Sequence, residues 1–290
     1  MLRRRTLFGL GLAGLGGWPR LTRAAAAPEP ALAPDIARIR ERGKVVVAVA
    51  GFAVPPFVTF GADGTPTGTD IDIATDMAKA LGVGLAFDHR ARTVDEMLDI
   101  IAARDADLAI AKLSETLDRA LRVRFSRPYL VLHQALLLNR LRFAQAAQGR
   151  DPIEVVQESG ASIGVLAGGA YVEYAKRLLP RARLRDYADW PSLIDAVRRG
   201  EVVAAYGDEL EVKHALMADP AAPLQLRPAI LADTRDPIGV ALPWDSLTLL
   251  AWVDLYLETA AKPLDVDELL ARYGRHGTAP SERHTRQDRL

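Results

Sequence analysis

Apolar positions along the chain fall into two kinds of block that take turns. Residues 45–50 form a continuous β-branched run, the pattern of a strand buried on both faces. A loop punctuated by Pro55, Pro56, Gly61, Asp63, Gly64, Pro66 and Gly68 follows. The spacing then changes: Ile71, Ala74, Met77, Ala78 and Leu81 recur at helical intervals, which predicts a helix opened by Asp70 as its cap. A strand over 83–87, a helix over 94–103 and a strand over 106–110 continue the rhythm. Residues 129–138 form a longer apolar stretch that fits a crossover into a second lobe. Beyond it the pattern predicts a helix from 152, a strand over 162–166, a helix from 169 and a strand over 184–187. A helix over 191–199, a strand over 202–206 and a helix over 208–217 complete that lobe. A strand over 238–242 returns the chain, helices over 246–261 and 265–273 close it, and 274–290 reads as a polar, disordered tail. This alternation predicts an α/β protein with open, mostly parallel sheets wrapped by helices, binding ligands beyond the carboxyl ends of its strands.

The length of 290 residues exceeds one ordinary domain and suggests two lobes. With 49% hydrophobic and 26% charged residues, the composition is that of a globular protein. The absence of cysteine rules out disulfides, thiol nucleophiles and thiolate metal sites. The five histidines show no metal-ligand spacing, so no metal or other cofactor is expected. No Gly-x-Ser-x-Gly elbow or phosphate-binding GxxxxGK[ST] loop is present.

The balance of 37 basic against 37 acidic residues is a composite. Residues 1–27 carry Arg3, Arg4, Arg5, Arg20 and Arg23 and no acid, with an apolar run over 7–18 and a small-residue end at Ala24-Ala25-Ala26-Ala27. That is the layout of a cleaved secretory signal, with cleavage expected after Ala26. Arg4-Arg5-Thr6-Leu7-Phe8 resembles a twin-arginine export signal. The Gly9, Gly11, Gly14 pattern lies inside this signal and so predicts no dinucleotide site. Removing five of the 37 basic residues leaves a charge of −5, and setting aside the basic tail leaves a body near −7. Such a body is not a nucleic-acid binder, and it is expected to be a free, periplasmic monomer.

A specific order of landmarks runs through residues 43–274. It comprises Val54-Pro55-Pro56-Phe57, Asp63-Gly64, Gly68-Thr69-Asp70-Ile71-Asp72, Ser114-Glu115-Thr116-Leu117-Asp118-Arg119 and Phe125-Ser126-Arg127-Pro128-Tyr129. Gly168, Gly207-Asp208 and Arg272-Tyr273-Gly274 extend it. In this order the chain resembles the family 3 bacterial solute-binding proteins, which deliver polar amino acids to ABC transporters. The resemblance implies a two-lobed, type II periplasmic binding protein hinged on two crossing strands. Its first lobe would be 28–132 plus 241–273, and its second 133–240. It also implies an ABC permease in the inner membrane as partner.

Residue by residue, the resemblance implies that Arg119 grips the ligand carboxylate, Ser114 helps hold it, and Asp208 takes the ligand ammonium. A guanidinium suits that task because it forms parallel charged hydrogen bonds and stays protonated. Leu113 lies in the same segment. Val54 stands where the family usually has an aromatic residue, and Gly169-Ala170 where it often has two threonines. Each position also has a plainer reading: Arg119 in a surface ion pair, Ser114 or Asp208 as a helix cap, Asp70 and Asp72 as partners of a helix dipole.

Lys112, seven residues before Arg119, replaces the family's usual Gly or Ser. It can repel an ammonium or reach across to pair with Asp208. Two ligands therefore stay open: an ordinary polar amino acid, with Lys112 extending to solvent, or a carboxylate lacking a free α-ammonium or a dianion, with Lys112 neutralising Asp208. Two alternatives to transport accompany the resemblance. One is a dehydratase-like enzyme on a cyclic carboxylic acid, for which Glu173 is a conceivable general acid; the other is a binding subunit that presents its ligand to a membrane sensor.

Overall fold

The computed structural model describes residues 31–158 and 160–276. The chain enters through α1 (Pro34–Arg42), closed by the left-handed Gly43, and β1 (Lys44–Ala48). A ribbon of β2 (Thr59–Phe60) and β3 (Pro66–Thr67) precedes α2 (Thr69–Leu81), β4 (Gly84–Asp88), α3 (Val94–Ala102) and β5 (Leu108–Ser114). Next come α4 (Leu117–Ala120), β6 (Arg124–Phe125), β7 (Leu130–Asn139), α5 (Arg140–Ala147) and α6 (Pro152–Glu158). The chain continues through β8 (Ser162–Leu166), α7 (Ala170–Leu178), β9 (Arg183–Tyr187), α8 (Trp190–Arg199), β10 (Ala204–Asp208) and α9 (Glu209–Met217). It ends with α10 (Ala222–Gln225), β11 (Leu226–Leu242), α11 (Leu247–Thr259) and α12 (Val266–His276).

The strands run in the order β4-β1-β5-β11-β7-β10-β8-β9, with β6 paired to β11. Each flank is parallel, β1 with β4 and β5, and β8 with β9 and β10. Between the flanks, β7 and β11 run antiparallel to each other and to β10 and β5 respectively, joining the two α/β halves. The pairing of β11 with β7 breaks between Leu231 and Asp236, where the strands pass from one half to the other.

Each half buries its own core. Val47, Met77, Met97, Leu98 and Ile110 pack in the first. In the second, Leu136 and Tyr206 face one helical layer while Leu137 and Ala205 face the opposite one. Successive strand residues point to opposite faces, so these strands need apolar residues at both parities. Phe57 is fully buried in a further cluster with Leu132, Leu210 and Ile238.

Several boundaries differ from the sequence pattern, each for a local reason. Strand β5 runs on to Ser114, because Lys112 and Ser114 are polar positions inside a continuous strand. Helix α5 was not predicted; Asn139 caps it by accepting the Arg142 N–H. Strand β11 begins at Leu226; Arg227, Pro228 and the polar run over 233–236 interrupt its apolar positions, which hides it from an apolar pattern. Asp70 does not cap α2. That helix starts at Thr69 after Gly68, and the Asp70 side chain is fully buried elsewhere, while Asp72 lies near Arg272 at 3.7 Å. Helix α12 continues to His276, three residues into the expected tail. Residues 277–290 and the expected signal over 1–26 lie outside the described residues.

Gly68 fixes the loop that precedes α2. Its φ is 122°, and a Cβ there would lie 2.4 Å from the Phe57 carbonyl oxygen. Only glycine tolerates both conditions. The close approach lets Thr69 and Asp70 donate their N–H groups to the Pro56 and Phe57 carbonyls.

Candidate functional site

The carboxyl ends of β5, β8 and β10, with the loop over 52–55, enclose a cavity of about 430 Å³ where the two halves meet. Val54, Lys112, Ser114, Arg119, Gly169, Ala170 and Asp208, all singled out in the sequence, line it. Leu113 does not. Its neighbours Lys112 and Ser114 point one way from β5, so Leu113 points the other and is fully buried in the first core.

Arg119 stands on α4, whose N-cap is Thr116; the Thr116 hydroxyl accepts the Arg119 N–H. Ser114 is therefore not the cap. The Arg119 side chain is buried, and its Nη1 donates to the Ser114 carbonyl at 2.9 Å. Among the described residues the guanidinium forms no ion pair. Burial pulls its pKa below the usual arginine value, while Asp95 and Asp236 at longer range oppose that shift. A buried cation without a counter-ion is costly, so this group favours an incoming anion.

Lys112 is the opposite case. Its Nζ lies 2.7 Å from Asp208 Oδ2 and 3.2 Å from Glu211 Oε1, and the three side chains are 11%, 3% and 10% exposed. These pairs join β5 in one half to β10 and α9 in the other. The Nζ also sits 5.7 Å from the centroid of the Phe57 ring, a favourable cation–π position. Asp208 is at once the N-cap of α9, its Oδ1 accepting the Glu211 N–H at 3.0 Å. Both readings of Asp208, cap and charge partner, hold together.

Lys112 has φ 51°, a left-handed conformation rare for a residue with a side chain. It is held there by Asp70, whose Oδ2 accepts the Lys112 N–H at 2.7 Å and the Tyr129 hydroxyl at 3.0 Å. Full burial pushes the Asp70 carboxyl up to about 7, against the lowering effect of those two donors.

Sequence reasoning missed Asp236. This carboxylate on β11 is completely buried behind the cavity wall and accepts hydroxyl protons from Tyr171 at 2.7 Å, Tyr174 at 3.0 Å and Ser114 at 3.2 Å. Burial raises its pKa, and the hydroxyl donors oppose that. A lone Asp in a polar stretch before Pro237 carries no signal of burial, so only its partners reveal it. Beside it, Glu115 is half-buried, and burial, then Asp236 and Asp254, push it up to about 7. Glu173, the conceivable acid, does not line the cavity; its carboxylate lies 4.0 Å from Arg177. Among the described residues no cluster of His, Asp and Glu could hold a metal, and no helix is long and apolar enough to cross a membrane.

Tyr171 and Tyr206 form the wall on the second half. Their rings meet edge to face at 5.4 Å, and their hydroxyls donate to Asp236 and Gln134. Trp190 lies beside them, over Gly207. A Cβ at residue 207 would lie 2.4 Å from the indole, so Gly207→Ala must displace the ring. The expected cost is about 1–3 kcal/mol of stability, by overpacking, with weakened ligand binding, as read by thermal melts and calorimetry.

The family model of the bacterial extracellular solute-binding proteins, family 3, matches residues 45–276. The chain is 31% identical over 187 residues to a membrane-bound lytic murein transglycosylase F of Maricaulis maris (strain MCS10), an alignment covering 62% of this chain and 39% of that protein. It is 27% identical over 173 residues to the L-cystine-binding protein TcyJ of Escherichia coli (strain K12), covering 60% of this chain and 62% of that one. Neither alignment reaches two thirds of the relative's length. Among solved structures, the amino acid ABC transporter substrate-binding protein AbpA of Streptococcus pneumoniae, bound to L-arginine, superposes with a TM-score of 0.63 at 26% identity, covering 82% of this chain and 98% of that one. An ancestral amino acid-binding protein, described as a precursor of cyclohexadienyl dehydratase, shares the fold with a TM-score of 0.65 at 24% identity, covering 82% and 98%.

Proposed function

The chain belongs to the bacterial extracellular solute-binding proteins of family 3, and from that premise we propose that it captures a small carboxylate-bearing solute in the cavity between its halves. The observation that supports this reading is Arg119: a buried guanidinium on the cavity wall with a backbone carbonyl but no ion pair among the described residues. A carboxylate supplies what that group lacks, in the bidentate geometry guanidinium favours. Ser114 orients Arg119 through its carbonyl, and its hydroxyl donates to Asp236 at the same corner.

In this proposal the halves close on the ligand about β7 and β11, bending where their pairing breaks between Leu231 and Asp236. An inner-membrane ABC permease would read the closed form, because affinity and closure are linked. Export would place the protein in the periplasm.

The test is calorimetry of ligand-stripped protein against small carboxylates and their matching primary amides. Binding should require the carboxylate, with at least a tenfold loss for each amide. Equal binding of acid and amide, or no binding of any carboxylate in a broad panel, would overturn the proposal.

A further inference from the structure

Within the cavity the two cationic side chains differ in their need for a partner. Arg119 has no counter-ion among the described residues, whereas Lys112 has two carboxylates at 2.7 and 3.2 Å. From this contrast we infer that Lys112 is a built-in substitute for a ligand ammonium, and that the solute is a carboxylate with no α-ammonium and a largely apolar body. The inference rests on the carboxylate-binding reading above and narrows it.

Occupancy carries the argument. Both oxygens of Asp208 are engaged, Oδ1 with the Glu211 N–H and Oδ2 with Lys112 Nζ. An α-ammonium seeking Asp208 therefore meets a resident ammonium at hydrogen-bond distance from the same oxygen. It must displace that group or bear its repulsion in a poorly solvated corner. The placement of Lys112 is also not a loose surface choice. Its backbone holds a left-handed φ of 51° inside β5, fixed by the Asp70 carboxylate on its N–H. Strain of this kind persists where surrounding structure determines it, and here its result is to aim a lysine at Asp208 and Glu211.

The rest of the cavity indicates the body of the solute. Val54, Pro55 and Leu166 contribute aliphatic surface and Trp190 and Tyr171 aromatic surface, beside the Asp189 carboxylate, whose Oδ1 caps α8 by accepting the Ser192 N–H. The Tyr171 hydroxyl is bonded to Asp236, which leaves ring surface as its main offering to a ligand, while Tyr206 is almost wholly buried. Volumes of several hundred Å³ suit small molecules of this type. A 2-oxo or 2-hydroxy acid with an aliphatic or aromatic side chain meets every one of these conditions.

Matched pairs test the inference: leucine, phenylalanine and glutamate, each beside its 2-oxo counterpart, titrated into ligand-stripped mature protein by calorimetry and thermal shift. The wild type should bind at least one apolar 2-oxo acid ten or more times tighter than the corresponding amino acid. Lys112→Met removes the resident ammonium from Asp208, so its preference should move at least tenfold toward the amino acid. An amino acid bound by the wild type as tightly as its 2-oxo partner overturns the inference and leaves carboxylate binding standing. A folded Lys112→Met protein with unchanged preference overturns it as well. Failure of the wild type to bind any carboxylate removes the underlying reading instead. The wild-type comparison decides the matter without the variant should Lys112→Met not fold.

Discussion

Arg119→Met should lower affinity for the carboxylate solute roughly thirtyfold or more while leaving a folded protein. Removing one partner of a buried, hydrogen-bonded charge pair costs about 2–5 kcal/mol, and each 1.4 kcal/mol is about tenfold in Kd. The loss should fall on the ligand complex rather than on the apo protein. Among the described residues Arg119 makes one side-chain hydrogen bond, to the Ser114 carbonyl at 2.9 Å, and no ion pair. Methionine fills much of the same volume and removes a buried unpaired charge, so the apo melting temperature should hold or rise. Arg119→Lys keeps the charge but loses the planar fork, and should recover only part of the affinity. Calorimetry with the best wild-type ligand reads the effect. A Kd for Arg119→Met within threefold of wild type would remove Arg119 from the binding corner.

The second large effect is a dependence of stability on pH that originates at Asp70. Its carboxyl lies at about 7 in the folded protein against an ordinary 3.8, chiefly through burial. The folded state therefore holds a proton that the unfolded chain has released, and stability falls as pH rises from about 4 through 7. Between pH 5 and pH 8 this single group should account for about 2–3 kcal/mol, or roughly 5–10 °C in Tm. Glu115, also near 7, and Asp236, raised by burial, act with the same sign. His214, lowered by burial, acts with the opposite sign below its ordinary pKa. Asp70→Asn isolates the term, since its carbonyl can still accept from Lys112 and Tyr129 but cannot titrate. Wild type should gain stability relative to the variant as pH is lowered from 8 to 5, in denaturant melts. Parallel curves over that range would contradict the assignment.

Local periodicity made much of the framework readable. The strand expected over 162–166 is β8 with the same bounds, and the helix expected over 94–103 is α3, ending one residue sooner. These elements show their apolar pattern within a few residues, and Thr93 at the start of α3 is an ordinary capping residue. Reading failed where polar residues stand inside buried elements. Lys112 and Ser114 make the end of β5 look like a loop, and Pro228 with the polar run over 233–236 conceals the first part of the crossing strand β11. Asp70 shows the same limit from the other side. At the start of a helix an aspartate suggests a cap, yet this one turns inward to a backbone N–H 42 positions away.

Sequence alone was enough to determine the alternating α/β architecture and the residue types gathered at one cleft, because period and motif are properties of neighbouring positions. It also brought Lys112, Arg119 and Asp208 forward as chemistry. Only tertiary structure decided which charges are satisfied. Lys112 meets Asp208 and Glu211, Arg119 is left without an ion pair among the described residues, and Asp236 disappears behind the wall beneath three hydroxyls. The physical reason is that the cost of a charge depends on burial and on partners as far as 122 positions apart, as between Ser114 and Asp236. Those distances are set when the sheets join, and no local pattern encodes them.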